Sequence, residues 1–200
     1  MPTENPFRIA VVTVMVLTLA ITLYHRLQAA SNGEKISRKD EGFLLAVVLR
    51  LSGLCLMVAT IAYVASPSSV KWASFPLPIS FRWLGIVTGI FCSILMYWTL
   101  NSLGKNLTDT VVTRAEATLI THGPYRWVRH PFYLTTALLM ASVTVLAANW
   151  LIGAVSVLVL GLLAVRTPKE EQMLIEKFGH QYRDYIKKTG KFFPRISSGK

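Results

Sequence analysis

Two stretches of this 200-residue chain hold the side chains best suited to bind and transform a ligand. The first reads Leu119-Ile120-Thr121-His122-Gly123-Pro124-Tyr125-Arg126-Trp127-Val128-Arg129-His130-Pro131-Phe132-Tyr133. The second opens Arg166-Thr167-Pro168-Lys169-Glu170-Glu171 and runs on through Phe178-Gly179 to Tyr182 and Tyr185. Residues 132–165 between them are apolar, so a membrane excursion would return both stretches to one membrane face and gather their Arg, His, Tyr and Glu into a polar pocket. The chemistry such a pocket can host is narrowed by what is missing. The chain has no G-x-G-x-x-G turn, P-loop, metal-spaced Cys/His set or G-x-S-x-G elbow. Any cofactor would sit in an unusual pocket, with no metal.

Each of these residues also has a plainer reading. Proline suits a first helical turn, so Arg129-His130-Pro131 could be a helix start flanked by positive interface residues. Arg126 and Arg129 could hold lipid phosphate. Glu170 and Glu171 could complement a helix dipole, Arg166 could snorkel, and Tyr125 and Tyr133 could belong to an aromatic belt. The convergence of all of them on one face favours a site.

The elements that must position them follow from composition. Apolar residues make up 52% of the chain and charged residues 16%; soluble domains carry about 25% charge. The mean hydropathy is +0.46, and the apolar residues come in membrane-length blocks. The expected fold is all-α: a polytopic membrane bundle, residues 1–200 forming a single membrane domain of about five segments. The expected spans are 7–24, 43–65 and 81–103, then a hairpin of 132–148 and 150–165 turning at Asn149-Trp150. A signal peptide is the rival reading of the first block, but its apolar core is long and His25 and Arg26 intervene before Gln28-Ala29-Ala30-Ser31. Arg50 lies within the second span and either snorkels or faces a cavity. Gly85, Gly89 and Ser93 share one face of the third span and should let a neighbour approach closely. Cys55 and Cys92 sit inside apolar blocks and read as small buried residues. Thr167 and Glu170 have capping-box spacing with Pro168 at the first helical position, which predicts that a new helix starts there. Leu174, Ile175, Phe178, Tyr182 and Ile186 then mark the apolar face of a C-terminal amphipathic helix along the membrane surface.

Net charge is +11. In a membrane protein the expected cause is a cytoplasmic bias of Lys and Arg, not nucleic-acid binding. The loops 25–42 and 104–131 and the tail together hold 17 Lys and Arg, while the opposite side holds Arg8, Lys71 and Arg82. The motif-bearing face and the C-terminus are therefore expected in the cytoplasm.

From about Leu103 to Ile196 the chain resembles the isoprenylcysteine carboxyl methyltransferase family and its phospholipid N-methyltransferase relatives. The resemblance is carried by Leu103-Gly104-x-Asn106, Leu119-Ile120-Thr121-x-Gly123-x-Tyr125 and Arg129-His130-Pro131-x-Tyr133. It continues through Arg166, Glu170-Glu171, Phe178-Gly179-x-x-Tyr182-x-x-Tyr185 and Pro194-x-Ile196. It implies an integral membrane enzyme that uses S-adenosylmethionine and releases S-adenosylhomocysteine. The cofactor pocket it implies lies in 104–131 and 166–196, at the cytoplasmic ends of the last helices and the tail. Carried over by motif, Ala117, Thr118, Leu119, Ile120, Tyr125, His130, Pro131, Phe132 and Tyr133 would line the cofactor. Glu170 would bind it through its carboxylate, and Thr113 would add a polar contact. Arg166 would be the catalytic residue, beside a substrate carboxylate.

That implied chemistry is coherent. A carboxylate acceptor needs no general base, only a cation to hold it, and the arginine fork suits this. The expected acceptor is lipid-like or prenylated, an isoprenylcysteine-type carboxylate, reached sideways between helices among membrane lipids. Two rivals stand beside this reading: a phospholipid amine acceptor, and a non-catalytic membrane protein of the same fold. One departure bears on the acceptor. Eukaryotic members carry an aromatic six residues after the histidine, where this chain has Thr136.

Overall fold

The computed structural model describes residues 4–30, 43–106 and 118–195. Among them no β-strand forms, and two isolated bridges join Ser74 to Asn149 and Val128 to Gly190. The helices are α1 (Asn5–Ala30), α2 (Phe43–Ala65), α3 (Ile79–Leu103), α4 (Pro131–Ala147), α5 (Trp150–Phe178) and α6 (His180–Lys188). Helices α1, α2, α3 and α5 are long and apolar enough to cross a membrane, and α4 is a shorter apolar helix of 17 residues. Their outer faces expose Leu19, Leu51, Val87 and Val157. An all-α, multi-pass membrane bundle has lipid to receive such faces.

Helix α3 is the hub, packing on α1 and α4. Small residues permit the closeness, as the spacing predicted. Ser142 of α4 donates to the carbonyl of Gly85 at 2.7 Å, and a Cβ at Gly89 would press on Ser142 and Val14. Phe7, Val11, Tyr63, Leu146 and Ile152 form the buried apolar core.

The helices overlap the segments expected from sequence, with four differences. Helix α1 does not stop at residue 24 but continues to Ala30. His25 is buried there, its ring against Tyr97 of α3 at 5.4 Å. The second arm of the hairpin does not end at 165 either. Helix α5 runs unbroken to Phe178, with Pro168 inside it. Thr167 is thus no N-cap: its hydroxyl donates back to the Leu163 carbonyl at 2.8 Å. Proline costs the helix one backbone donor, and the side-chain bond to the preceding turn is one that helices accommodate. The tail helix, expected as one piece, is split at Gly179, whose φ of 55° closes α5 and opens α6. Finally, Cys92 is buried as expected but Cys55 is exposed on α2. Arg50 is also exposed rather than turned into the bundle.

The hairpin turn is as the sequence suggests. Ala148 takes a left-handed conformation (φ 44°). Asn149 caps α5 by accepting from the Ile152 amide at 3.2 Å and donates to the Val70 carbonyl at 3.0 Å.

Candidate functional site

The first stretch is folded onto the end of α3 by a short 3-10 turn, Gly123–Arg126. Gly123 has a φ of +59°, and a Cβ there would overlap the Ser102 side chain. Glycine is therefore required twice, by conformation and by approach. Upstream, Asn106 accepts from the Thr118 amide at 3.0 Å, which fixes the start of the stretch. Trp127 packs edge-on against Trp98 of α3 at 5.8 Å.

The tail then straps this stretch down. The Arg129 amide donates to the Gly190 carbonyl at 2.9 Å, the His130 amide to Lys191 at 3.1 Å, and the Gly190 amide to Trp127 at 3.1 Å. Tyr185 of α6 donates its hydroxyl to the Tyr125 carbonyl at 2.6 Å. Arg129 adds a side-chain bond to the Thr189 carbonyl at 2.6 Å. After His130 the chain enters α4, with Pro131 in its first turn as the sequence suggested.

The α4–α5 hairpin then returns the two glutamates to this spot. Glu171 Oε1 accepts from Arg129 Nε at 2.7 Å and lies 3.3 Å from His130 Nε2. Its other oxygen is 3.8 Å from the Lys191 ammonium. Glu170 Oε2 accepts from the Tyr133 hydroxyl at 2.7 Å, and Glu170 Oε1 lies 3.9 Å from His130 Nδ1. The His130 ring is buried, parallel to Tyr133 with centroids 5.5 Å apart, and covered on another side by Phe192 at 5.9 Å.

Charge follows this geometry. Burial pushes the Glu171 carboxyl up, but hydrogen bonds from His130 and Arg129, and the charges behind them, outweigh it and hold the group at about 2. Burial raises the Tyr125 hydroxyl, and the negative charge of Glu170 raises it further. Tyr182 is raised by burial and then by Glu171. The Tyr182 hydroxyl is buried, and among the described residues nothing hydrogen-bonds it.

Of the residues singled out from sequence, Tyr125, His130, Pro131, Tyr133 and Glu170 are brought together here. Phe132 is half-buried beside Tyr133, ring centroids 6.0 Å apart. Arg166 stands one helical turn before Glu170 on α5 and is half-buried. Leu119 and Ile120 are half-buried and Thr118 is exposed. Thr113 and Ala117 lie outside the described residues. Sequence reasoning placed Glu171 and Tyr182 in the candidate set but gave neither a role of its own. The adjacency of Arg129 to His130 was the available signal for Glu171, because two neighbouring donors invite one carboxylate.

Comparison with known proteins gives the chain its relatives. Residues 83–176 match the model of the Isoprenylcysteine carboxyl methyltransferase (ICMT) family. A protein-S-isoprenylcysteine O-methyltransferase of Dictyostelium discoideum is 27% identical over 139 residues, 64% of this chain and 56% of the relative. The Rattus norvegicus protein of the same name is 32% identical over 143 residues, 65% of this chain and 50% of the relative. The chain thus spans about half the length of the curated relatives it matches. A solved eukaryotic intramembrane Ras methyltransferase ICMT superposes with a TM-score of 0.54 at 21% identity, covering 96% of this chain and 70% of that one. That likeness is one of fold.

Proposed function

Because residues 83–176 match the model of the isoprenylcysteine carboxyl methyltransferase family, we propose that this chain is a membrane methyltransferase. It uses S-adenosylmethionine to methylate the carboxylate of an amphiphilic, isoprenylcysteine-type acceptor. The observation that carries this reading is the meeting of His130 and Glu170 across the hairpin, 3.9 Å apart, under a strap of tail residues.

The donor set suits that cofactor. Glu170 and His130 offer acceptors for its ammonium or hydroxyl groups, and the buried Tyr182 hydroxyl, without a hydrogen bond among the described residues, is a donor within the field of Glu170 and Glu171. When bound, the cofactor supplies a methyl group on a sulfonium, electrophilic without help from a metal. The residues of the chain then have four tasks. Glu170, braced by Tyr133, and His130 hold the polar end of the cofactor. Phe132 and Phe192 lend apolar cover. The strap of residues 189–192 keeps water from the His130 side, where its backbone bonds close the wall. Arg166, one turn nearer the apolar part of α5, pairs with the acceptor carboxylate through its fork. Orientation of two bound reactants can remove on the order of 7–11 kcal/mol of barrier, so positioning is the main work this site has to do.

The polar face and the C-terminus lie in the cytoplasm in this reading, on the strength of the Lys and Arg asymmetry. An acceptor with a lipid tail enters from the bilayer, with S-adenosylhomocysteine as the second product. The test is calorimetric titration of detergent-solubilised protein with S-adenosylhomocysteine. It is followed by transfer of labelled methyl to farnesylcysteine and phosphatidylethanolamine acceptors. Binding with methylation of the carboxylate supports the proposal. Absence of binding at millimolar ligand rejects it, and methylation of the amine alone replaces the acceptor.

A further inference from the structure

Adjacent residues on a helix point about 100° apart, so Glu170 and Glu171 cannot serve the same partner from the same side. The contacts divide them. Glu171 Oε1 takes Arg129 Nε at 2.7 Å and faces His130 Nε2 at 3.3 Å. Glu170 has one oxygen engaged by Tyr133 at 2.7 Å and turns the other toward His130 Nδ1, at 3.9 Å.

A carboxylate can only accept. The Glu171 bond to His130 therefore requires the proton on Nε2. In the neutral ring Nδ1 then carries a lone pair, and that lone pair faces Glu170 Oε1, which accepts no hydrogen bond among the described residues. Two acceptors face one another at a distance too long for a hydrogen bond between them. One nitrogen bearing several N–H groups could stand about 2.9 Å from both. The gap is a clamp waiting for a donor.

We propose that Glu171 is a positioning residue that holds the His130 proton on Nε2, so that His130 Nδ1 and Glu170 Oε1 together grip a primary ammonium of the ligand. The inference rests on the proposed function for the identity of that ligand, whose aminoacyl end carries such a group. The tautomer itself rests on the geometry alone. Arg129 Nε, bonded to the same Glu171 oxygen at 2.7 Å, fixes that carboxylate in place as the acceptor.

The experiment has a ligand-free arm and a ligand arm. Protein carrying 15N-labelled histidine is examined by NMR in detergent, with the His130 signals assigned by loss in His130→Asn. The wild type should show a protonated Nε2 and an unprotonated Nδ1. Glu171→Gln, whose amide can donate as well as accept, should shift His130 toward a tautomer mixture. Arg129→Gln, which removes a second partner of Glu171 and leaves Lys191 near its other oxygen, should keep the wild-type pattern. In the ligand arm, Glu171→Gln should weaken S-adenosylhomocysteine by about tenfold, the scale of one charge-assisted hydrogen bond. It should leave 5′-methylthioadenosine, which lacks the ammonium, unchanged. A wild-type His130 protonated on Nδ1 overturns the proposal even if the variant fails to fold. So does an equal loss of both ligands, which would mark Glu171 as a holder of the strap only. Absence of any ligand binding in the wild type, with the tautomer as stated, would reject the methyltransferase reading and remove the ammonium from the proposal while retaining the tautomer control.

Discussion

Removal of the Glu4 carboxylate should loosen the end of the bundle farthest from the candidate site. Arg82 of α3 is held there by five bonds, one of them to the Tyr63 hydroxyl at 3.0 Å. Two go to Glu4, at 2.7 and 2.8 Å, and two to the Leu146 carbonyl at the end of α4, at 2.9 and 2.7 Å. Its guanidinium also lies over the Phe7 ring at 3.9 Å, and Tyr63 donates to Glu4 at 3.1 Å. The knot ties α1, α2, α3 and α4 together. Side-chain exposure is 10% for Arg82 and 26% for Glu4. Breaking a fully buried pair costs about 3–5 kcal/mol. Because Glu4 is a quarter open, Glu4→Ala should cost roughly 2–3 kcal/mol. The assay is reversible unfolding in mixed micelles for Glu4→Ala, Arg82→Met and the double variant, where the cycle isolates the pair. A coupling energy of about 2 kcal/mol is expected, and one within about 0.5 kcal/mol of zero would refute the reasoning. The pH dependence has a definite sign. Hydrogen bonding to Arg82 lowers the Glu4 carboxyl below its ordinary 4.5 despite some burial. The stabilisation is therefore complete above 4.5 and is lost as pH falls through the lowered value.

Four further outcomes are expected. Glu170→Gln should weaken S-adenosylhomocysteine by at least tenfold in calorimetry at unchanged thermal stability, since the lost charge faces the ligand and not the fold. Arg166→Lys should cut methyl transfer to a carboxylate acceptor while leaving cofactor affinity within about twofold, because charge is kept and the fork is lost; undiminished turnover would remove Arg166 from the acceptor. The Glu171 carboxyl, held at about 2 against 4.5, should stabilise the strap fully above 4.5 and less as pH falls toward 2, by on the order of 3 kcal/mol in all. Exchange protection of the Arg129, His130 and Gly190 amides reads this, and Glu171→Gln should flatten it. Cysteine probes within residues 31–42 and near the C-terminus should be shielded from impermeant reagent in intact cells, and labelling from outside would invert the orientation.

The parts of the fold that could be read from sequence are those set by one strong local term. Membrane-length apolar blocks gave the bundle, and Asn149 with its neighbours gave the hairpin turn. The proline after His130 marked the start of α4. Where local signals competed, the reading failed. Thr167, Pro168 and Glu170 have the spacing of a helix start, yet the same spacing fits a helix that continues with a threonine bonded back to Leu163 at 2.8 Å. Capping preference is worth about 1 kcal/mol, and the packing of a 29-residue helix against the bundle outweighs it. Counting charges by side was blind in another way. It placed Arg82 correctly at the far end but could not see Glu4 beside it, because an ion pair 78 positions apart leaves no pattern in the chain.

The same limit explains the Glu-Glu pair and says what a sequence motif of this kind encodes. Two adjacent glutamates look equivalent in a string of letters. On a helix they face different directions, and the hairpin decides which neighbour each one meets. Glu171 meets donors that belong to the fold: Arg129, bonded on to the tail carbonyls, and His130 Nε2. Glu170, more exposed at 26% against 16%, keeps one oxygen for something else. A carboxylate saturated by the protein builds a site, and one left half-engaged serves it. In the proposed site Glu171 orients the Arg129-His130 element and His130 is presented beside Glu170, so the motif draws on both ends of the α4–α5 hairpin. Swapping the duties tests this logic. Glu170→Gln should spare the strap and lose the ligand, whereas Glu171→Gln should disturb His130 first and the ligand through it.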